Sequence, residues 1–421
     1  KDQLTNKNKV SRIDLNREIA AILERIYYYP EVYYEVNAAI YSGYYEDERV
    51  LIKDLLFPQI SGLYQHKRFK VFKSIAGRFR KFFMDEVKRG KYSLTQSALG
   101  EEEQKTVVTS EGLMPGRLQG LANPLLQTLL STAIYFPYSD NFTVQFTSLY
   151  NEMISKTVSV PAATIVSADR DADAAPGREA YSCGLGAVAS CYKTVTVDDA
   201  YASAKATHII TSGAERSVAD AAIEPVSGVA ISRVYHGWSK LTQQLDKLIS
   251  FTGNGGGSEI KIARISGYLQ TKEQQVVSFS GDIATVYYKR GDIRYQRWKR
   301  VFSVWDVDWK EDNKEQVYAV YEDDTQGTKK LKGSLTTTIN LPGKPSPGKT
   351  VADISFDVSV ITQDEIITQR NIDRYSYFRD AKNNQGWGYL GDTNDFLSAG
   401  KDWPVLDGGA VWSYTLPNRG Y

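Results

Sequence analysis

Apolar residues in the first hundred positions recur at helical spacing. Leu15, Ile19, Ile22 and Ile26 fall on one face behind Ser11 or Asp14 as candidate N-caps, and Pro30 closes the run, so a first helix is predicted. The Tyr-rich residues 32–45 and the run through Val50, Ile52, Leu55 and Leu56 up to Pro58 predict two more. Across residues 67–91, Phe69, Phe72, Ala76, Phe79 and Phe83 share a face, and Lys70, Lys73, Arg78, Arg80 and Lys81 fill much of the rest. That is a basic amphipathic helix, and its Phe stripe suits either an N-terminal core or an anionic membrane surface. Residues 101–114 are mostly polar and predict a loop, and a short apolar run follows at 121–135.

From about residue 145 the period changes. Strand-like runs at 158–166, 193–197 and 207–211 are separated by Asp-, Ala- and Gly-rich loops, and the Ala/Ser/Pro-rich residues 213–228 suit a linker. Further strands are predicted at 259–265, 283–288, 299–305, 316–321, 335–340 and 354–361, with turn residues between them at the spacing of a β-sandwich. An aromatic, Gly- and Asn-rich tail follows Gln369. A chain of 421 residues exceeds one ordinary core. The expected fold class is α+β multidomain: a helical N-terminal domain (1–144), a small β-rich middle region with a linker (145–228), and a C-terminal antiparallel β-sandwich with its aromatic tail (229–421).

Composition narrows the function classes. A net charge of +1 provides no global attraction to nucleic acid, so no nucleic-acid partner is expected. No apolar run approaches the roughly 20 residues that span a bilayer. Cys183 and Cys191 are the two cysteines, and with three scattered histidines they form no zinc arrangement. A local disulfide in an oxidising compartment and a pair of inert thiols both fit. A start at Lys1 suits a processed or truncated product, which leaves export open.

The candidate chemistry is acidic. WDVDWKED supplies Asp306, Asp308 and Asp312 after one strand, and YEDD supplies Glu322, Asp323 and Asp324 after the next. A D-x-D spacing on an extended chain puts both carboxylates on one side, and calcium accepts six to eight such hard oxygens in loose geometry. Asp169, Asp171 and Asp173 form a D-x-D-x-D run that opens like an EF-hand loop, but Ala174 stands where that loop needs glycine and Glu179 falls one place early. A looser calcium loop and a polar loop pinned by Arg170 and Arg178 both fit. The Gly-rich GNGGGSE lacks P-loop residues and suits a tight turn or linker. His208 sits in an apolar strand, and His236 lies beside Trp238, where packing is the commoner role. Neither HExxH, G-x-S-x-G nor C-x-x-C occurs. Paired carboxylates of the glycosidase kind come from distant positions and follow no local spacing rule.

The stretch from the strand ending in YEDD through Leu331 and Gly333 to a Thr-rich strand resembles the third calcium loop of C2 domains, with Lys329 and Lys330 where that family usually carries a second acidic pair. The resemblance implies a C2-like β-sandwich with calcium as cofactor, and Asp306, Asp308, Glu322 and Asp324 as the leading ligands. The whole chain is also similar to uncharacterised secreted bacterial proteins that combine SADRDAD-, TGNGGGSE- and VWDVDW-like segments. The resulting expectation is a non-catalytic secreted or cell-surface protein whose calcium-binding module engages a membrane, glycan or protein partner. Two alternatives stand beside it: an effector or toxin acting at a target membrane through the N-terminal helices, and a hydrolase with a dispersed carboxylate site.

Overall fold

The computed structural model describes residues 11–90, 92–93, 128–158, 163–181, 191–213, 233–251, 256–268, 278–301, 303–311, 313–323, 329–340, 349–360, 366–383, 405–415 and 418–419. The chain is an α+β protein of two compact units. Unit 1 gathers Lys1–Ser217, Asp246–Gly257 and Lys289–Gly291, and unit 2 gathers Val218–Leu245, Ser258–Tyr288 and Asp292–Tyr421. Residues read above as helical domain and as β-rich region therefore belong to one unit.

In unit 1, helix α1 (Arg12–Ile26) begins where Ser11 Oγ accepts the Asp14 amide at 3.2 Å, and it buries the predicted stripe of Leu15, Ile19, Ile22 and Ile26. Helix α2 (Pro30–Tyr41) follows with Pro30 as its first residue, a position that lacks an intrahelical N–H partner in any case. After strand β1 (Arg49–Leu51) come two single-turn helices, α3 (Ile52–Leu56) and α4 (Gly62–Gln65). Helix α5 covers Arg78–Arg89, so the predicted helix over 67–91 is half as long as its periodicity suggests. The reason lies at its start. Gly77 has φ +79°, and buried Glu35 of α2 accepts the Gly77 and Phe79 amides at 2.7 and 2.8 Å, which fixes the helix N-terminus there.

Strand β2 (Thr132–Tyr135) leads through a 3₁₀ turn, Ser139–Phe142, into helix α6 (Thr143–Ser155), which straddles the boundary drawn above between helical domain and β-rich region. Only Leu149 of α6 is buried, which leaves little amphipathic signal to read. Strands β3 (Thr164–Ser167), β4 (Ala175–Tyr181) and β5 (Cys191–Val197), the short helix α7 (Asp199–Ala204) and strand β6 (Thr207–Ser212) complete the sequence of elements. The six strands form one sheet in the order β1-β2-β6-β3-β4-β5, antiparallel except for the parallel β3–β6 pair. Helix α1 packs on α5 and β3, and α2 packs on α5 and α6. Cys191 is disulfide-bonded, and Cys183 is the chain's one other cysteine. Of the Gly-rich run, Gly256 has φ +138°, and a Cβ there would stand 2.8 Å from the Arg49 guanidinium, so the described end of that run is a turn that needs glycine.

Unit 2 is built of antiparallel sheets. Strands β7 (Arg233–Tyr235), β8 (Trp238–Leu241), β9 (Ser258–Tyr268), β10 (Ser278–Tyr288), β11 (Lys299–Arg300), β12 (Val304–Asp306), β13 (Glu315–Glu322), β14 (Lys329–Asn340), β15 (Lys349–Val360) and β16 (Thr368–Asp373) precede helix α8 (Arg374–Asn383). Strands β17 (Val405–Gly408), β18 (Trp412–Thr415) and β19 (Asn418–Arg419) end the chain. The sheets read β10-β9-β13-β16, β11-β8-β18-β17 and β12-β7-β19, with β14-β15 as a separate pair. Tyr318 and Val320 of β13 join a core of Trp305, Trp309, Trp412 and Tyr414, while Val317, Ala319 and Tyr321 on its other face join a second cluster with Ala263 and Ile265. A strand buried on both faces gives the continuous apolar run that made β13 legible. Trp412 and Tyr414 of the aromatic tail are thus core residues, whereas Trp387, Tyr389 and Trp403 lie outside the described residues.

Candidate functional site

Helical spacing builds one face of a pocket in unit 1. On α5, Phe82, Asp85, Glu86 and Arg89 stand at i, i+3, i+4 and i+7 and so line a single side, while Phe79, Phe83 and Val87 turn into the core. The facing wall comes from the end of α1 with Glu24, Arg25 and Ile26, from Tyr28 and Tyr29 in the turn before α2, and from Tyr192 of β5. Together they line a half-open pocket of about 420 Å³.

The walls are held by contacts among themselves. Arg25 pairs with Glu86 at 2.6 Å, and the Tyr92 hydroxyl donates to the same carboxylate at 2.9 Å. The Tyr29 and Phe82 rings stack with centroids 3.9 Å apart, and Tyr28 meets Tyr29 edge-on. The Tyr192 hydroxyl donates to the Glu24 carbonyl at 2.5 Å. Burial pushes the Glu24 carboxyl above the ordinary carboxylate range, against the pull of Arg178 at 3.5 Å. Burial, with Glu86 beside it, raises the Tyr92 hydroxyl to about 12, so it stays a proton donor. The pocket thus combines a half-buried aromatic wall with carboxylates and guanidiniums, of which Arg25, Glu86 and Glu24 are held by ion pairs. No family model, curated protein or solved structure matches this chain. Function must be argued from the geometry.

The described acidic residues singled out in the sequence are held within the fold. Asp306 is buried, pairs with Arg264 at 2.5 Å, accepts from the Gln316 amide, and takes the backbone N–H of Asp308 on its other oxygen at 2.9 Å. That last bond is an Asx turn. It ends β12 at Asp306, so Asp308 does not continue the strand on the same side, and its own carboxylate pairs with Lys310. Glu322 is buried at the end of β13, and Asp323 pairs with Lys261 at 2.9 Å. Asp312 and Asp324 lie outside the described residues. In the D-x-D-x-D loop, Asp169 faces Arg17 at 3.5 Å, Asp171 accepts the Phe251 amide at 2.8 Å, and Asp173 pairs with Lys247 at 2.9 Å. A short β-bridge between Ala172 and Ile249 completes a clasp on residues 246–251. Among the described residues, no group of three or more His, Cys, Asp or Glu side chains is placed to hold a metal ion.

Neither buried histidine is poised as a base. His208 Nδ1 and the Tyr27 hydroxyl lie 2.7 Å apart, Tyr33 stacks on the ring, and burial pulls its pKa down to about 3. His236 is bonded to the Tyr414 hydroxyl and meets Trp305 edge-on, and burial, with Arg264 nearby, likewise lowers it to about 3. The Phe stripe that suggested membrane attachment is used in folding, since Phe79 and Phe83 are fully buried and Phe69 and Phe72 pack against the same core. No helix among the described residues is long and apolar enough to cross a membrane. Sequence reasoning missed Asp85, Glu86 and Arg89 because it followed the Phe and Lys positions of that helix. The signal was their spacing with Phe82.

Proposed function

We propose that this chain is a non-catalytic binding protein of the secreted or cell-surface kind, with a C2-like sandwich in unit 2 as scaffold and its ligand site in the pocket of α1, α5 and β5. The observation that supports this reading is how the polar groups are used. Histidines and strand-end acids serve the fold internally, while Asp85, Arg89 and the aromatic wall open onto a cavity of small-ligand size. Retention of the purified chain on insoluble cell-wall polysaccharide or on anionic vesicles, without release of soluble products, is the expected result.

A hydrolase reading has one observation in its favour. Burial raises the Glu24 carboxyl, the direction a general acid needs, and Glu24 shares its pocket with Asp85 and Glu86. Release of reducing sugar that stops in Glu24→Gln would replace the binding reading with this one. For calcium, the thermal midpoint in EDTA and then in millimolar calcium decides, because a ligand of the folded state alone raises stability. Asp306 is already bonded to Arg264, Gln316 and the Asp308 amide, so no shift is expected. A rise that disappears in Asp308→Asn would restore the calcium module.

A further inference from the structure

We propose that the pocket bounded by α1, α5 and β5 is a saccharide subsite, shaped for a neutral mono- or disaccharide. The inference rests on reading that pocket as the ligand site and adds the chemistry of the ligand. Its volume of about 420 Å³ is at the scale of small-molecule sites, which run from about 300 to 1,000 Å³.

Charge selects among ligands of that size. Carboxylates of Glu24, Asp85 and Glu86 and guanidiniums of Arg25 and Arg89 line the same space. An organic cation entering it meets the two arginines, and an anion meets the three acids. A neutral polyol meets neither penalty, because each hydroxyl both donates and accepts. Carboxylates take hydroxyl donors on both oxygens, and a planar guanidinium offers parallel N–H donors that match adjacent hydroxyls.

The remaining wall fits the other face of a sugar. Tyr28, Tyr29 and Phe82 are half-buried there, and aromatic rings of this kind bury apolar surface while a tyrosine hydroxyl stays in reach of water. A pyranose ring has an apolar C–H face of matching size and a rim of hydroxyls. The site is also held before any ligand arrives. The Arg25–Glu86 pair, the Tyr92 bond to Glu86 and the Tyr29–Phe82 stack fix that part of the lining, which reduces the ordering cost of binding. Burial of the Glu24 carboxyl adds a reason for a hydroxyl donor to be welcome, since it replaces hydrogen bonds that water supplies poorly there.

The test is saturation-transfer NMR and calorimetry on the full chain with cellobiose, maltose and N,N′-diacetylchitobiose, and with tetramethylammonium and acetate as charged probes. Saturable binding of at least one disaccharide is expected. It should weaken by about tenfold or more in Asp85→Asn/Arg89→Ala, at a half-buried and an exposed position of α5, with the circular dichroism spectrum unchanged. Tyr29→Ala should abolish it, but that variant also loses a packing contact, so the double variant carries the decision. Disaccharide binding unaffected by the double variant would overturn the proposal, and so would the absence of saturation by all three sugars. If a charged probe alone binds and is displaced by the double variant, the saccharide inference fails while the pocket stands as a ligand site. If no probe binds to a protein that is still retained on polysaccharide or vesicles, the pocket itself is excluded and the binding reading survives elsewhere.

Discussion

Unit 1 and unit 2 handle buried polarity in different ways. In unit 1, buried carboxylates serve as acceptors for helix starts and turns. Glu35 takes the Gly77 and Phe79 amides, Glu48 takes the Ser139 amide and hydroxyl at the 3₁₀ turn, and Asp54 takes the hydroxyls of Tyr45 and of Ser61, the N-cap of α4. In unit 2, among the described residues, Asp306 is buried in a side-chain network instead: it pairs with Arg264, Gln316 is bonded to the same carboxylate, and Trp305 Nε1 donates to Gln316 at 2.7 Å. The contrast follows from the elements. Each helix leaves up to four N–H groups without partners at its start, so a unit built from many short helices needs acceptors inside, whereas long antiparallel strands satisfy one another.

The largest expected effect lies in unit 2. Arg264→Ala leaves Asp306 buried without its cation, and breaking such a pair typically costs about 3–5 kcal/mol. All seven tryptophans belong to unit 2, so tryptophan fluorescence follows that unit without a contribution from unit 1. A strong fall in the fluorescence-detected denaturation midpoint is expected. A fall below about 1 kcal/mol would mean that the aromatic core, not the charge network, organises this unit.

Unit 1 gives the next effect, and it depends on pH. Glu48 is buried and lies at positive φ (+58°), and burial raises its carboxyl to about 7 against the attraction of Lys289. A raised carboxyl binds its proton more tightly when folded. Its contribution is therefore complete below the unfolded value of 4.5 and is lost as pH rises to about 7. At 1.36 kcal/mol per pH unit the window corresponds to about 3 kcal/mol. Glu48→Gln keeps an acceptor for Ser139 and removes the titration. The variant should gain stability relative to the parent from pH 4.5 to pH 7, read as the difference in helix-detected midpoints. A difference that stays flat over this window would show that the charge is not buried in solution.

How much of this was legible in the sequence depended on whether function or packing set the local pattern. The α1 stripe and the β13 run were plain because a single buried face or a doubly buried strand leaves a strong period. The start of α5 was not, because it is fixed by Glu35, more than forty positions earlier, and no local rule connects the two. The acidic runs were visible as chemistry, but their partners were not. Nothing near Asp306 announces that Arg264 and Gln316 will meet it, and Asp308 was placed on an extended strand that the Asx turn at Asp306 ends. The pocket shows the same limit, since Glu24 and Tyr192 come from elements far apart in the chain, while the four α5 residues were readable at their helical spacing.

The smallest effects test what the D-x-D-x-D loop is for. Lys247 and Asp173 are both well exposed, at 55% and 75% of their side chains, so Lys247→Ala should change stability by no more than about 0.5 kcal/mol. Asp171 differs because its carboxylate receives a backbone N–H, that of Phe251, beside the Ala172–Ile249 bridge. Removing that acceptor in Asp171→Ala should cost about 1 kcal/mol and speed amide exchange at Phe251 and Ile249. Should Lys247→Ala prove the more damaging of the two, charge rather than backbone pairing would hold the clasp. Unit 1 would then depend on exposed ion pairs as well as on buried caps.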